Sequence, residues 1–158
     1  MGRSSSYGAA TLTVQISESL TLNSRDYGGY HTATIANIVN VDKRIETITT
    51  TESSVMTFST VVGPGQWIPA KVMYMRFTNL DDTNHITLTF ANENDDEAAI
   101  KLDAGKSFML CGDNSGGMVD VLDALDSALT YSLGDLKSVT ADADTASCDL
   151  ELYVASIA

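Results

Sequence analysis

Positive charge is scarce in this chain: nine Lys and Arg stand against 21 Asp and Glu, a formal charge of −12 at pH 7. A surface of that sign repels phosphate backbones and anionic lipid headgroups, so neither nucleic acid nor a membrane is expected as a partner. Cysteine is nearly absent too. Cys111 and Cys148 have no CxxC or Cys/His spacing, which indicates neither a zinc site nor a disulfide framework. Both sit in what reads as the inward phase of a strand and are expected to be buried free thiols. His31 and His85 are the sole imidazoles, each flanked by Thr or Asn, and no GxSxG elbow accompanies them. Without a nucleophile, a base and a group to orient the base, no catalytic residues are expected, no cofactor, and no enzyme. Apolar runs stay well short of the roughly 18 residues of a membrane span. The start, MGRSSSYGAA, lacks a hydrophobic signal region, and no N-x-[ST] acceptor occurs, so a secreted glycoprotein is not expected.

What the chain does have is alternation. Met73, Met75 and Phe77 alternate with Val72, Tyr74, Arg76 and Thr78, and Ile86, Leu88 and Phe90 with His85, Thr87 and Thr89. That period of two belongs to a half-buried strand. With the Asx-rich connections at LDDTN and Asn92 to Glu97, then Asp103 to Lys106, residues 72–110 read as a four-stranded antiparallel meander. Leu12, Val14 and Ile16 make a first strand, with Leu20 and Leu22 continuing its apolar phase. Thr32–Ile38 and Arg44–Thr50 read as two strands parted by Asn40-Val-Asp42, and Met56 and Phe58 share a face. The chain closes with Cys148, Leu150, Leu152 and Val154 against Asp149, Glu151, Tyr153 and Ala155. Between them, Val119, Val121, Leu122, Leu125 and Leu129 fit helical spacing, predicting a short helical segment near 119–129. The expectation is an all-β antiparallel sandwich of jelly-roll type with about 8–9 strands. Residues 1–10 read as a flexible arm and residues 11–158 as a single domain, one of a size that buries roughly 70% of its unfolded surface.

Carboxylates cluster at Asp81-Asp82, at Glu93 with Asp95, Asp96 and Glu97, and at Asp142 with Asp144. None has the spacing of an EF-hand, and such runs on loop tips are read as solvated, with no metal. Contact residues are expected on the arm, at Arg3 and Tyr7, and on the loop Asn23–Tyr30, at Arg25, Tyr27 and Tyr30. Tyrosines there offer rigid area with a polar tip. Trp67, beside Pro69, is read as a plug over the open end of a sandwich, with a binding platform as the alternative, and is counted among the contact candidates. A carbohydrate-binding jelly roll would expose several aromatics, and Trp67 with six tyrosines leaves that reading open.

Three stretches carry a resemblance. Tyr74, Arg76, Thr78, Asn79, Leu80 and Asp81 match a Y-x-R-x-T-N-L-D strand and turn. Lys101, Leu102, Ala104, Gly105, Lys106, Ser107 and Phe108 match a K-L-x-A-G-K-S-F turn and strand. Ala143, Asp144, Thr145, Ala146, Glu151, Val154 and Ala155 match a closing A-D-T-A strand. This layout resembles small virion structural proteins of tailed, particularly marine, bacteriophages. The resemblance covers the C-terminal half in its motifs and the N-terminal half in outline, and those motifs specify a fold rather than a reaction. It implies a non-enzymatic capsid decoration or cement protein on the outer surface of the virion, assembled in the bacterial cytoplasm. Its implied partners are the major capsid protein and further copies of itself, most plausibly as a trimer. A tail or head-to-tail adaptor or fibre component is the alternative within the same family.

Overall fold

A computed structural model of the protein describes residues 8–61, 66–112, 116–124 and 133–158. The alternating stretches become twelve strands: β1 (Ala10–Glu18), β2 (Thr21–Leu22), β3 (Arg25–Asp26), β4 (Gly29–Ile48), β5 (Ser53–Phe58), β6 (Gln66–Trp67), β7 (Val72–Asn79), β8 (Ile86–Asn92), β9 (Glu97–Leu102), β10 (Ser107–Cys111), β11 (Leu136–Ala143) and β12 (Cys148–Ile157). A 3-10 turn at Pro69–Lys71 precedes β7 and is the one helical element among the described residues. One sheet runs β1-β4-β12-β7-β10, the other β6-β5-β11-β8-β9, and β2 and β3 form a small ribbon. Every pairing is antiparallel except β5 with β6. Count β4, β5, β7, β8, β9, β10, β11 and β12 as first to eighth. The first sheet then reads first-eighth-third-sixth and the second reads second-seventh-fourth-fifth, which is the double-sheet jelly-roll order.

The order follows from the faces. Met75, Phe77, Leu150, Leu152 and Val154 point inward from the first sheet and meet Met56, Ile86, Leu88, Phe90 and Val139 from the second. Phe77 and Phe90 pack edge to face with centroids 5.8 Å apart, and Phe108 continues the row at 5.5 Å from Phe90. A polar ring closes one edge. Arg44 lies between Asp42 and Glu46 and donates from Nη2 to the Val55 carbonyl of β5 at 2.7 Å.

Four expectations are corrected. The stretch 72–110 is not a meander: β8 and β9 form a hairpin, but β7 belongs to the other sheet and pairs with β10. Alternation fixes which face of a strand is buried, and in a sandwich both sheets face the same core, so it does not say which sheet a strand joins. Second, the two strands expected within 32–50 are one, β4, whose Gly29–Ile38 portion pairs with β1 and whose Ile38–Ile48 portion pairs with β12. Its irregularity lies at Asn37, in the left-handed region at φ 62 where the β1 register shifts, and not at Asn40–Asp42; an extra residue in a ladder bends the strand there. Third, Cys111 is exposed, because Phe108 and Leu110 hold the inward phase of β10. Cys148 is buried as expected, and both thiols are free.

Last, Val119–Ala124 is not helical. Val121 donates to Gly134, Leu122 bridges Gly134, and Asp120 has φ 52, which ends any helix. Val121 and Leu122 pack against the core beside Phe108 and Leu110, which explains an apolar pattern that mimics helical spacing. The rest of that expected segment, 125–129, lies outside the described residues.

Candidate functional site

β1 and the first half of β4 form a long hairpin that starts on the body and leaves it. At its base Ile35 and Ile38 pack with Met73, Tyr74 and Ala155, flanked by Leu12, Val14, Tyr153 and Ile157, on the face of the first sheet turned away from the core. From Gln15 to Thr32 every residue is exposed. The tip is nevertheless built. Asn23 and Ser24 both take positive φ, as a two-residue type I′ hairpin turn requires, and join β2 to β3. Tyr27 donates its N–H to Leu20 at 2.8 Å, and Gly28 donates to the Asp26 carboxylate at 2.8 Å. A side chain at Gly28 would meet the Glu18 carbonyl at 2.7 Å, so glycine is needed there.

This tip gathers large apolar side chains in water. Ile16, Leu20, Leu22, Tyr27 and Tyr30 are 42% to 75% exposed. They fall within fifteen residues, and residues 10–34 carry only Glu18, Arg25 and Asp26 as formal charges. Such a concentration differs from the singly scattered apolar residues that are normal on a protein surface. The expected contact residues Arg25, Tyr27 and Tyr30 therefore come together, and Ile16, Leu20 and Leu22 join them. Those three read as core in the sequence, since their alternation matches that of buried strands; the polar residues between them, Ser17, Glu18, Ser19 and Thr21, were the available signal. Trp67 lies elsewhere, half-buried against the core at the edge of the second sheet. Arg3 and Tyr7 fall outside the described residues.

The hairpin sits on a polar and aromatic seat. Arg76 donates to Glu151 at 2.6 Å, Lys43 approaches the same carboxylate at 3.6 Å, and the Arg76 guanidinium stands 6.0 Å from the Tyr153 ring, which Tyr74 meets edge-on at 5.7 Å. Leu12, Val14 and Gln15 face this group across a shallow hollow. The hydrogen bond from Arg76 holds the Glu151 carboxyl below its ordinary range. A lowered folded-state pKa gives stability that is present above the unfolded value, about 4.3, and lost as pH falls through the folded value. Glu151→Gln is thus expected to cost about 1 kcal/mol at pH 7, with screening allowed for, and to show a smaller deficit at an acid pH below the unfolded value. Urea denaturation at both pH values measures this, and an equal deficit at both would show the ion pair contributes nothing.

His85 Nδ1 lies 3.4 Å from Asp144, and Cys148 is close by in the chain fold, its Sγ directed at the carbonyls of Asn84, His85 and Ala146. Burial first, then Asp81, Asp144 and Asp149, push the Cys148 thiol up, which disfavours the thiolate a nucleophile needs. The acidic tips are engaged: Asp81 accepts from Thr83 and Asn84, Asp95 pairs with Lys137, and Asp96 accepts from Asn92. Among the described residues no group of three or more His, Cys, Asp or Glu side chains is arranged to hold a metal ion.

Two buried asparagines hold turns, Asn79 at the crossover from β7 to β8 and Asn92 at the β8–β9 hairpin, and neither role was read from the sequence. Asn79 donates to Asn84 at 2.9 Å and Leu102 at 3.1 Å and accepts from Asp81. Asn92 donates to Leu122 and accepts from Asn94 and Asp96.

Strand order and core thus define a jelly-roll β-sandwich with a projecting hairpin. No family model matches the chain, and no curated protein matches it. Among solved structures, a chain from Bacillus endospore appendages, described as disulfide-linked pili, is similar with a TM-score of 0.41 and 9% identity, covering 96% of this chain and 94% of that one.

Proposed function

We propose that this protein is a non-enzymatic structural component of a virus particle: a decoration protein on the outer surface of a tailed-bacteriophage head, bridging coat subunits as a homo-oligomer. The observation that carries the reading is the hairpin tip, where Ile16, Leu20, Leu22, Tyr27 and Tyr30 are exposed on a rigid, weakly charged projection. Ordering such residues in water has no folding benefit, whereas docking them removes apolar area from solvent. The sequence resemblance supplies the particle. Its motif residues make the seat and the corners: Arg76 holds Glu151 beneath the hairpin, and Asn79 and Asp81 fix the crossover from β7 to β8. A small protein that adds interface between neighbouring coat subunits resists internal pressure, and symmetry multiplies each contact. Three copies about a symmetry axis is the assembly proposed.

Light scattering on the purified protein and co-sedimentation with particles of its own virus test this. The parent protein is expected to be oligomeric and to pellet with particles. Changing Leu20, Leu22 and Tyr27 together to Ser should leave circular dichroism and melting unchanged, because all three are exposed, and lower pelleting at least tenfold. A strict monomer that never pellets would refute the proposal, as would a triple variant that pellets like the parent.

A further inference from the structure

Neither the core nor the hairpin uses the groove on the open side of the sandwich. It lies between β4, whose Asn40–Ile48 edge has no second ladder partner among the described residues, and β6, the edge of the other sheet. The end of β12 lies alongside. The groove encloses about 410 Å³ and is lined by Asn40, Asp42, Gln66, Trp67, Lys71 and Ser156, among others. That volume is within the range of small-ligand sites, roughly 300–1,000 Å³.

Its walls are held by backbone. β6 pairs with β5 through Thr57–Gln66 and Phe58–Trp67, and Ser59 donates to the Trp67 carbonyl at 2.7 Å. The Pro69–Lys71 turn closes with Lys71 donating to Ile68 at 2.9 Å. One part of the indole packs on the core while the ring is only half-buried. The side-chain amides of Asn40 and Gln66 have no hydrogen-bond partner among the described residues, and both are exposed. Asp42 is held in place by Arg44, and the Lys71 ammonium bonds the Ala158 carbonyl.

Three ligand classes can be weighed against this lining. A purely apolar ligand would strip water from two amides and a carboxylate without replacing their hydrogen bonds. An anionic ligand would face Asp42 and a chain of charge −12, with Lys71 already engaged. A neutral ligand with an apolar face and a rim of hydroxyls meets neither objection. We propose that the groove binds a neutral pyranose sugar, stacked by its C–H face on Trp67, with adjacent hydroxyls shared between the Asn40 and Gln66 amides and the Asp42 carboxylate. Amides and carboxylates suit paired hydroxyls because each presents two polar atoms in a plane. A single ring on one platform corresponds to a dissociation constant on the order of a millimolar, tightening as a second ring is added. This inference is independent of the docking role given to the hairpin.

Trp67 is the sole tryptophan in the chain, so its emission reports the groove directly. Full-length protein is titrated with neutral gluco-, galacto- and manno-oligosaccharides and, separately, with oligogalacturonate. At least one neutral series should give a saturable emission change, weakened fivefold or more by Asn40→Ala and by Gln66→Ala. Both positions are exposed, so these variants keep the fold, and calorimetry on Trp67→Phe checks the platform without the reporter. No saturable response to any neutral series at its solubility limit would overturn the proposal. So would a response confined to the uronate, or an emission change that follows protein concentration with no sugar present, which would mark the groove as an interface between copies.

Discussion

Replacing Asn79 by Ala is expected to destabilise the domain by about 2–4 kcal/mol. The substitution removes one buried amide, takes its donor from the buried Leu102 carbonyl and the part-buried Asn84 carbonyl, and takes its acceptor from the Asp81 N–H; a buried polar group so orphaned costs about 1–3 kcal/mol. Asn79 is fully buried, so water does not replace the lost donor. Asn79→Asp separates this cause from mere loss of volume. It keeps the shape but sets a carboxylate against two carbonyl oxygens, so its folded-state pKa rises above the unfolded value near 3.9. Its deficit relative to the parent is then full above the raised pKa and shrinks as pH falls below it. Urea curves at neutral and acid pH measure both variants. If Asn79→Asp is as stable as the parent at pH 7, the donor role is wrong.

Phe77→Ala should have a similar or larger effect, about 3–5 kcal/mol, from lost transfer energy and a cavity between the sheets. Phe77 is 0% exposed and meets Phe90 edge to face across the sandwich. Against a typical domain stability of about 5–15 kcal/mol, that leaves little margin at elevated temperature. Phe77→Leu keeps most of the volume and is expected to cost about half as much. Shifts in the urea midpoint at constant slope give both numbers. A cost near zero for Phe77→Ala would mean the two sheets do not close on each other at this point.

Much of the fold was legible because burial in a sandwich imposes a period of two. The inward sets of β8 and β12 are the apolar residues on alternate positions, Ile86, Leu88 and Phe90 in one and Cys148 to Val154 in the other. In β7 this holds for Met75 and Phe77, but Met73, expected in the same phase, turns to the outer face where the register with β12 shifts. Sheet membership was not legible, because a strand in either sheet shows the same apolar phase to the same core. What decides it is geometry at the corners, and between β7 and β8 that rests on Asn79, in a stretch whose composition is equally that of a hairpin loop. Cys111 was misassigned by one step of phase, since Phe108, Met109, Leu110 and Cys111 are all apolar and composition does not say which alternate pair faces inward. Of the candidate site, Arg25, Tyr27 and Tyr30 were found through the chemistry of a tyrosine-bearing turn. Ile16, Leu20 and Leu22 were not, because an apolar side chain exposed on a projecting ribbon and one buried under a second sheet look alike in sequence. The edge position of Trp67 was legible from Pro69 close by, since proline is kept out of central strands. The groove it shares with Asn40 and Asp42 was not, because those residues lie on different sheets.

β4 is twenty residues long, about 65 Å of backbone contour, and it belongs to the exposed ribbon and to the central sheet alike. A load applied at the tip would therefore act on a main chain that is laddered to β12 from Ile38 to Ile48. Tension is shared among many backbone bonds in parallel, and none of it has to pass through side-chain contacts at the seat. The bend at Asn37 sets the direction in which the ribbon leaves that anchor.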